Sequence, residues 1–145
     1  MSLTMKVLIK RVDKSLNLPE YKTPGAAAMD LSAREDMVIK PRQVGKVPLN
    51  VILKVPDDHW VLMSARSSLH KKGLMMANGI GIGDADYCGE TDEYQAALLN
   101  YTDQEVEVKR GERIVQIVIL KREKVELQEV EKMSAKSRGG FGSTG

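Results

Sequence analysis

Val47-Pro48-Leu49-Asn50-Val51-Ile52-Leu53-Lys54-Val55 is the stretch that decides the class of fold. Val47, Leu49, Val51, Leu53 and Val55 alternate with other residues, the period of a strand with one buried face, and Pro56-Asp57-Asp58 ends the run. Working outward, short segments of the same kind recur at 7–9, 37–39, 60–63, 94–99, 106–108, 114–120 and 125–127, each bounded by Gly, Pro, Asn or Asp. Many short strands at near-regular spacing predict an all-β sandwich or barrel. Residues 112–133 also admit a helical stripe through Ile114, Ile117, Val118 and Val125. The β-branching of Ile114, Val115, Ile117, Val118 and Ile119 favours a pleated surface instead. Residues 131–137 are polar and without period, and read as a flexible arm leading into a glycine-rich tail.

The chain has 145 residues, 42% of them hydrophobic, which suffices for one domain with a core of its own. Aromatics are only 4%, so that core is expected to consist of Val, Ile, Leu, Ala and Met. A net charge of +2, with 22 basic residues spread among 20 acids, excludes a strongly basic nucleic-acid binder. The single cysteine, Cys88, excludes a disulfide framework within the chain and a cysteine-rich zinc site, and fits a reducing compartment. Two histidines, His59 and His70, are too few for a histidine-built metal cage. No apolar run reaches membrane-spanning length, and Met1-Ser2-Leu3-Thr4-Met5-Lys6 has no signal-peptide core, so a cytoplasmic protein without a membrane partner is expected. Met5 reads as a native start behind a short added leader, and no function is given to residues 1–4.

Chemistry concentrates in five places. In the first, Ala26-Ala27-Ala28-Met29-Asp30-Leu31 is a small-residue run with a lone acid, which close packing with an Asp turn or a positioning role for Asp30 would explain. The second, Arg66-Ser67-Ser68-Leu69, offers a guanidinium and two hydroxyls suited to phosphates, or serines capping a short helix. In the third, Gly79, Gly81 and Gly83 alternate with Ile80 and Ile82 just after Asn78. One side of an extended segment is left without side chains, so its backbone could pair with a flat polar ligand. Asp84, Asp86 and Tyr87 follow, and a hairpin in which Gly and Asp serve backbone geometry alone is the alternative. The fourth, Arg110-Gly111-Glu112-Arg113-Ile114-Val115-Gln116, places a neutral amide among β-branched residues, where it needs hydrogen-bond partners if buried. In the fifth, the only phenylalanine, Phe141, lies among glycines beside Ser143 and Thr144, as in a nucleotide clamp or a disordered terminus.

In this order and spacing, the five segments resemble the motifs of the trimeric deoxyuridine triphosphatase (dUTPase) family across nearly the whole chain: Ala28 to Ala33, Arg66 to Leu69, Gly81 to Glu90, Gly111 to Gln116, and the tail. The resemblance implies a jelly-roll-like β fold, a homotrimer with active sites shared between subunits, and Mg²⁺-dependent hydrolysis of dUTP to dUMP and pyrophosphate. That reaction keeps uracil out of DNA and supplies dUMP for dTMP synthesis. By the same resemblance Asp84 is the general base, and Asp86 is structural, holding the turn. Tyr87 packs beneath the deoxyribose and excludes a 2′-hydroxyl. Asn78 and the backbone of Ile82 and Gly83 read uracil, while Arg66, Ser67 and Ser68 hold phosphates. Gln116 orders the water, Gln95 contacts the substrate, and Asp30 reaches the metal through water. The tail is implied to order over the substrate, with Phe141 on uracil and Gly142, Ser143 and Thr144 near the phosphates. A dCTP deaminase-like relative and an inactive dUTP-binding or signalling module are the alternatives.

Three departures from the family pattern stand out. Gly83 precedes the catalytic Asp where the family usually has isoleucine, and Thr91-Asp92-Glu93 looks like an insertion that shifts the alignment of Gln95. In the tail, Arg138 lies three residues before Phe141 and Lys136 five before it, where the family's phosphate-binding Arg is five before. The planar fork of Arg138 suits phosphate better than an ammonium.

Overall fold

The computed structural model describes residues 4–145, so the expectation for the leader falls, at positions 1–3, outside the described residues. The 47–55 stretch folds as two strands, β4 (Val44–Pro48) and β5 (Val51–Lys54), and not as the single strand its period suggests. The break lies at Asn50, whose backbone is left-handed at φ 72°. Asn enters that region more readily than most residues with a side chain. Here every polar group of this buried residue is also used. Asn50 Oδ1 accepts the Asp13 N–H at 2.6 Å and Nδ2 donates to the Asp13 carbonyl at 3.0 Å. Its N–H donates to the Glu93 carboxylate at 2.8 Å, and its carbonyl accepts the Val12 N–H at 2.9 Å. Val47, Leu49, Val51, Leu53 and Val55 all stay buried across the corner, but so do Pro48, Asn50 and Ile52 between them, so the single buried face that the alternation predicts is not what forms.

Nine further strands are present among the described residues: β1 (Leu8–Arg11), β2 (Met29–Ser32), β3 (Met37–Ile39), β6 (His59–Ala65), β7 (Leu74–Met76), β8 (Gly81–Gly83), β9 (Gln95–Asn100), β10 (Val106–Val108) and β11 (Arg113–Lys121). They pair as β1-β5, β10-β3, β2-β11-β6-β8 and β4-β9-β7, all antiparallel. No two consecutive strands share a sheet, so every connection carries the chain from one sheet to another. This is the expected all-β, jelly-roll-like architecture. Its core is aliphatic, with Leu31, Ile39, Leu49, Leu74, Leu98, Ile114 and Ile117 essentially inaccessible, and Tyr94 is the one aromatic buried with them.

Three local expectations change. Asp30 lies within strand β2 and not in a turn, because β2 pairs along β11. Residues 125–127 form no strand. After Arg122 N–H bonds the Asp58 carbonyl, no further backbone bond forms among the described residues until the tail, and Val125 and Leu127 are exposed. An isolated segment has no ladder to join. Ser68 precedes a 3-10 turn over Leu69–Lys72, but its side chain makes no capping bond. The helical alternative for 114–125 is excluded, since β11 is hydrogen-bonded on both edges. No helix among the described residues is long and apolar enough to cross a membrane.

Replacing Asn50 by Ala removes both side-chain bonds to Asp13 and leaves a Cβ without compensation at positive φ. The expected outcome is a loss of about 2–4 kcal/mol in urea unfolding.

Candidate active site

β8 ends the four-stranded sheet, with β6 on one side and no strand on the other among the described residues. Its free edge faces a cavity of about 400 Å³, lined by Asn78, Gly81, Ile82, Gly83, Asp84 and Tyr87 together with Tyr94 and Gln95, where β9 begins. The glycine alternation has a clear consequence. Ile82 points out, 67% exposed, while Gly81 and Gly83 face inward onto Met63 and Tyr94. A Cβ at position 83 would overlap the Tyr94 hydroxyl. That hydroxyl is the one buried side-chain polar atom without a partner among the described residues.

Asp84 follows β8 and is exposed, and its carbonyl accepts the Tyr87 N–H at 3.1 Å. Backbone thus closes this turn, while Asp86 is exposed and makes no side-chain hydrogen bond among the described residues, contrary to its expected structural role. The Tyr87 hydroxyl donates to the Glu93 carbonyl at 3.0 Å, and its ring meets that of Tyr94 edge-on, with centroids 5.6 Å apart at 87°.

A second cluster forms where β2, β11 and β6 run side by side, with Asp30, Gln116 and Ser64 in register. Gln116 Nε2 donates to the Ala65 carbonyl at 3.0 Å, which gives the half-buried amide the partner it needs. Asp30 Oδ2 lies 3.1 Å from Arg66 Nε and 3.2 Å from Arg113 Nη1. Two guanidinium groups around one carboxylate leave a local excess of positive charge, suited to a polyanion. Ser67 and Ser68 follow Arg66 directly, at the turn into residues 69–72.

Within one chain these clusters stay apart. Gly83 pairs with Val61, so Asp84 lies level with Trp60, and the two line a common cavity. Arg66 lies beyond the opposite end of β6, six residues further, which is about 20 Å of extended chain. Neither cavity beside Asp84 includes Arg66, Ser67, Ser68 or Gln116. The tail joins neither cluster: Lys136, Arg138, Phe141, Gly142, Ser143 and Thr144 are all exposed and line none of the cavities beside Asp84 or Asp30. No group of three or more His, Cys, Asp or Glu that could hold a metal exists among the described residues.

The family model for dUTPase matches residues 14–145. The chain belongs to the dUTPase family. It is 39% identical over 145 residues to the deoxyuridine 5'-triphosphate nucleotidohydrolase of Hydrogenobaculum sp. (strain Y04AAS1), covering 97% of this chain and 99% of that one. It is 40% identical over 147 residues to the enzyme so named in Thermobifida fusca (strain YX), covering 98% and 80%. Among solved structures, the dUTPase from Streptococcus mutans superposes with a TM-score of 0.75 at 28% identity, over 81% of this chain and 98% of that one. A Staphylococcus bacteriophage 80alpha dUTPase with dUPNHPP shares the fold, with a TM-score of 0.85 at 24% identity over 98% and 99%.

Seen as a dUTPase, the chain shows what its sequence departures do. A glycine at position 83 and a tyrosine at position 94 share the volume that two ordinary side chains would contest. Glu93, in the segment that reads as an insertion, has carboxylate oxygens that take Arg34 Nε at 2.7 Å and Nη2 at 3.0 Å. Neither Tyr94 nor the Arg34–Glu93 pair was marked as part of a site by the sequence reading. Their one sequence signal is that they accompany the glycine at position 83 and the segment that reads as an insertion.

Burial pushes the Tyr94 phenol from its ordinary 10.0 up to about 12. A raised folded value means that the stabilisation it brings is intact below pH 10 and is lost as pH climbs to about 12, because the unfolded chain ionises first. Unfolding free energy measured across this window is expected to fall in the native sequence by a component that is missing in Tyr94→Phe.

Proposed function

We propose that this chain hydrolyses dUTP to dUMP and pyrophosphate at a site shared between copies, with Asp84 as general base. The observation that carries the reading is the convergence of Asn78, the free edge of β8, Tyr87 and Asp84 on one cavity. A strand edge with no neighbouring strand presents N–H and C=O groups to a planar base as a pairing partner would, and the Asn78 amide offers a donor and an acceptor beside it. Uracil satisfies both, while cytosine presents an amino group to a donor and thymine adds a methyl that a tight pocket rejects. Tyr87 is the platform for the deoxyribose, held in place through its hydroxyl.

Asp84 takes the proton of a water as that water attacks the α-phosphorus in line. The bond from this phosphorus to the bridging oxygen breaks, and pyrophosphate leaves. The geometry favours Arg66, Ser67 and Ser68 of a neighbouring copy as phosphate ligands, with Gln116 ordering the water and Asp30 fixing the Arg66 fork. The 20 Å separation along β6 and the unengaged tail support a homotrimer in which each site draws on several copies. Each copy is one domain spanning 1–145, and 131–145 is its arm. Phe141 then stacks on uracil, and Arg138, or Lys136 in its place, meets the phosphates with Gly142, Ser143 and Thr144.

The donor set fits a magnesium ion that arrives on the triphosphate. Hard cations need several oxygens, and here Asp30 offers one uncommitted carboxylate oxygen, Oδ1, enough for a contact through water. Bound Mg²⁺ would neutralise phosphate charge. The activity keeps uracil out of DNA and supplies dUMP for dTMP synthesis, consistent with the cytoplasmic location expected from the sequence.

Asp84→Asn is expected to lower pyrophosphate release by about 10²–10⁴-fold, while dUpNHpp still binds in calorimetry. A variant that turns over like the native chain, or ammonia released from dCTP by the native chain, would overturn the assignment. Deleting residues 139–145 is expected to leave the sedimenting species unchanged and to cripple turnover.

A further inference from the structure

We propose that the Arg34–Glu93 ion pair is a positioning device for Tyr87 and sets how strictly the pocket rejects a ribose. The inference rests on the role of Tyr87 as the sugar platform. Tyr87 has two supports, and both come from the consecutive residues 93 and 94: its hydroxyl bonds the Glu93 carbonyl, and its ring lies edge-on against Tyr94. Residues 88–91 between them give little restraint of their own. They are mostly exposed, and what organises them is a local turn, with Gly89 N–H on the Asp92 carboxylate at 2.8 Å and Asp92 N–H on the Gly89 carbonyl at 3.1 Å, beside the exposed Lys10–Glu90 ion pair.

The restraint enters at Glu93. Its Oε2 accepts Arg34 Nε at 2.7 Å and the Asn50 N–H at 2.8 Å, and its Oε1 accepts Arg34 Nη2 at 3.0 Å. This is a bidentate carboxylate–guanidinium pair with a third donor, and such an arrangement fixes orientation as well as distance. The Glu93 side chain is only 12% exposed and that of Arg34 28%, so water screens the pair less than it would a surface pair. Arg34 is anchored in turn, its N–H bonding the Pro48 carbonyl at 2.8 Å. Tyr94 is pinned on both sides of its backbone, donating to the Val51 carbonyl and accepting the Leu49 N–H, each at 2.9 Å. The β4–β5 corner and the ion pair therefore hold residues 93 and 94, and these hold Tyr87. A shift of a few tenths of an ångström in that ring changes the room for one hydroxyl oxygen and leaves the Asp84 carboxylate untouched.

The test measures kcat and KM for dUTP and for its ribose counterpart UTP in Glu93→Gln, Arg34→Met, Tyr87→Phe and Tyr87→Ala. In Glu93→Gln one amide oxygen must serve donors that a carboxylate satisfied with two. The kcat/KM preference for dUTP over UTP is expected to fall roughly tenfold, through a lower KM for UTP more than through kcat. Arg34→Met and Tyr87→Phe are expected to follow it, and Tyr87→Phe tests the link without disturbing the ion pair. A merely structural loss scales both substrates by the folded fraction and leaves their ratio unchanged. If Tyr87→Ala lowers the preference while Glu93→Gln, Arg34→Met and Tyr87→Phe keep the native ratio, the positioning inference is overturned. If Tyr87→Ala itself keeps the native ratio, it is the assignment of Tyr87 to the sugar that fails.

Discussion

The register of β6 between β11 and β8 is the constraint on which the rest depends. Antiparallel pairing fixes residue against residue, and a slip by one position would turn every side chain to the other face. With Val61 against Gly83 and Ser64 against Gln116, the carboxylate that follows β8 and the guanidinium that follows β6 are held at opposite ends of one strand. No side-chain rotation closes that gap. The strand that organises the sheet therefore also separates the proposed base from the proposed phosphate ligands.

The second organising element is the corner at Asn50. A buried turn exposes backbone groups that must find partners, and here they are met by Asp13, Val12 and Glu93. Glu93 thereby does two jobs with two parts of one residue. Its carboxylate completes the corner and neutralises Arg34, while its carbonyl holds the Tyr87 hydroxyl. Stability of the β4–β5 turn and geometry of the pocket are coupled through that residue. The Tyr94 ring adds a second link, filling the volume that Gly83 vacates and leaving its own hydroxyl unpaired.

Much of this was legible in the chain itself. Alternation in 47–55 marked it as strand, though not its burial on both faces, and β-branching separated strand from helix in β11, because those signals are local and survive folding. Asn78, Gly83, Asp84 and Tyr87 were legible as one site because they lie on one short segment. The corner at Asn50 was not, since its cause is a pair of bonds to Asp13, far away in sequence. Residues 125–127 carried a strand pattern without a strand, because pattern describes a surface and pairing requires a partner.

The sequence by itself determined the class of fold, the aliphatic core, the family and the identity of the chemical groups, since composition, period and motif order are properties of the chain. Only the tertiary structure decided that Asp30 serves Arg66 and Arg113, that Glu93 and Tyr94 support Tyr87, and that the two clusters lie a strand's length apart. These are relations between residues distant in sequence, and their distances are set by sheet register and by the need to satisfy buried polar groups.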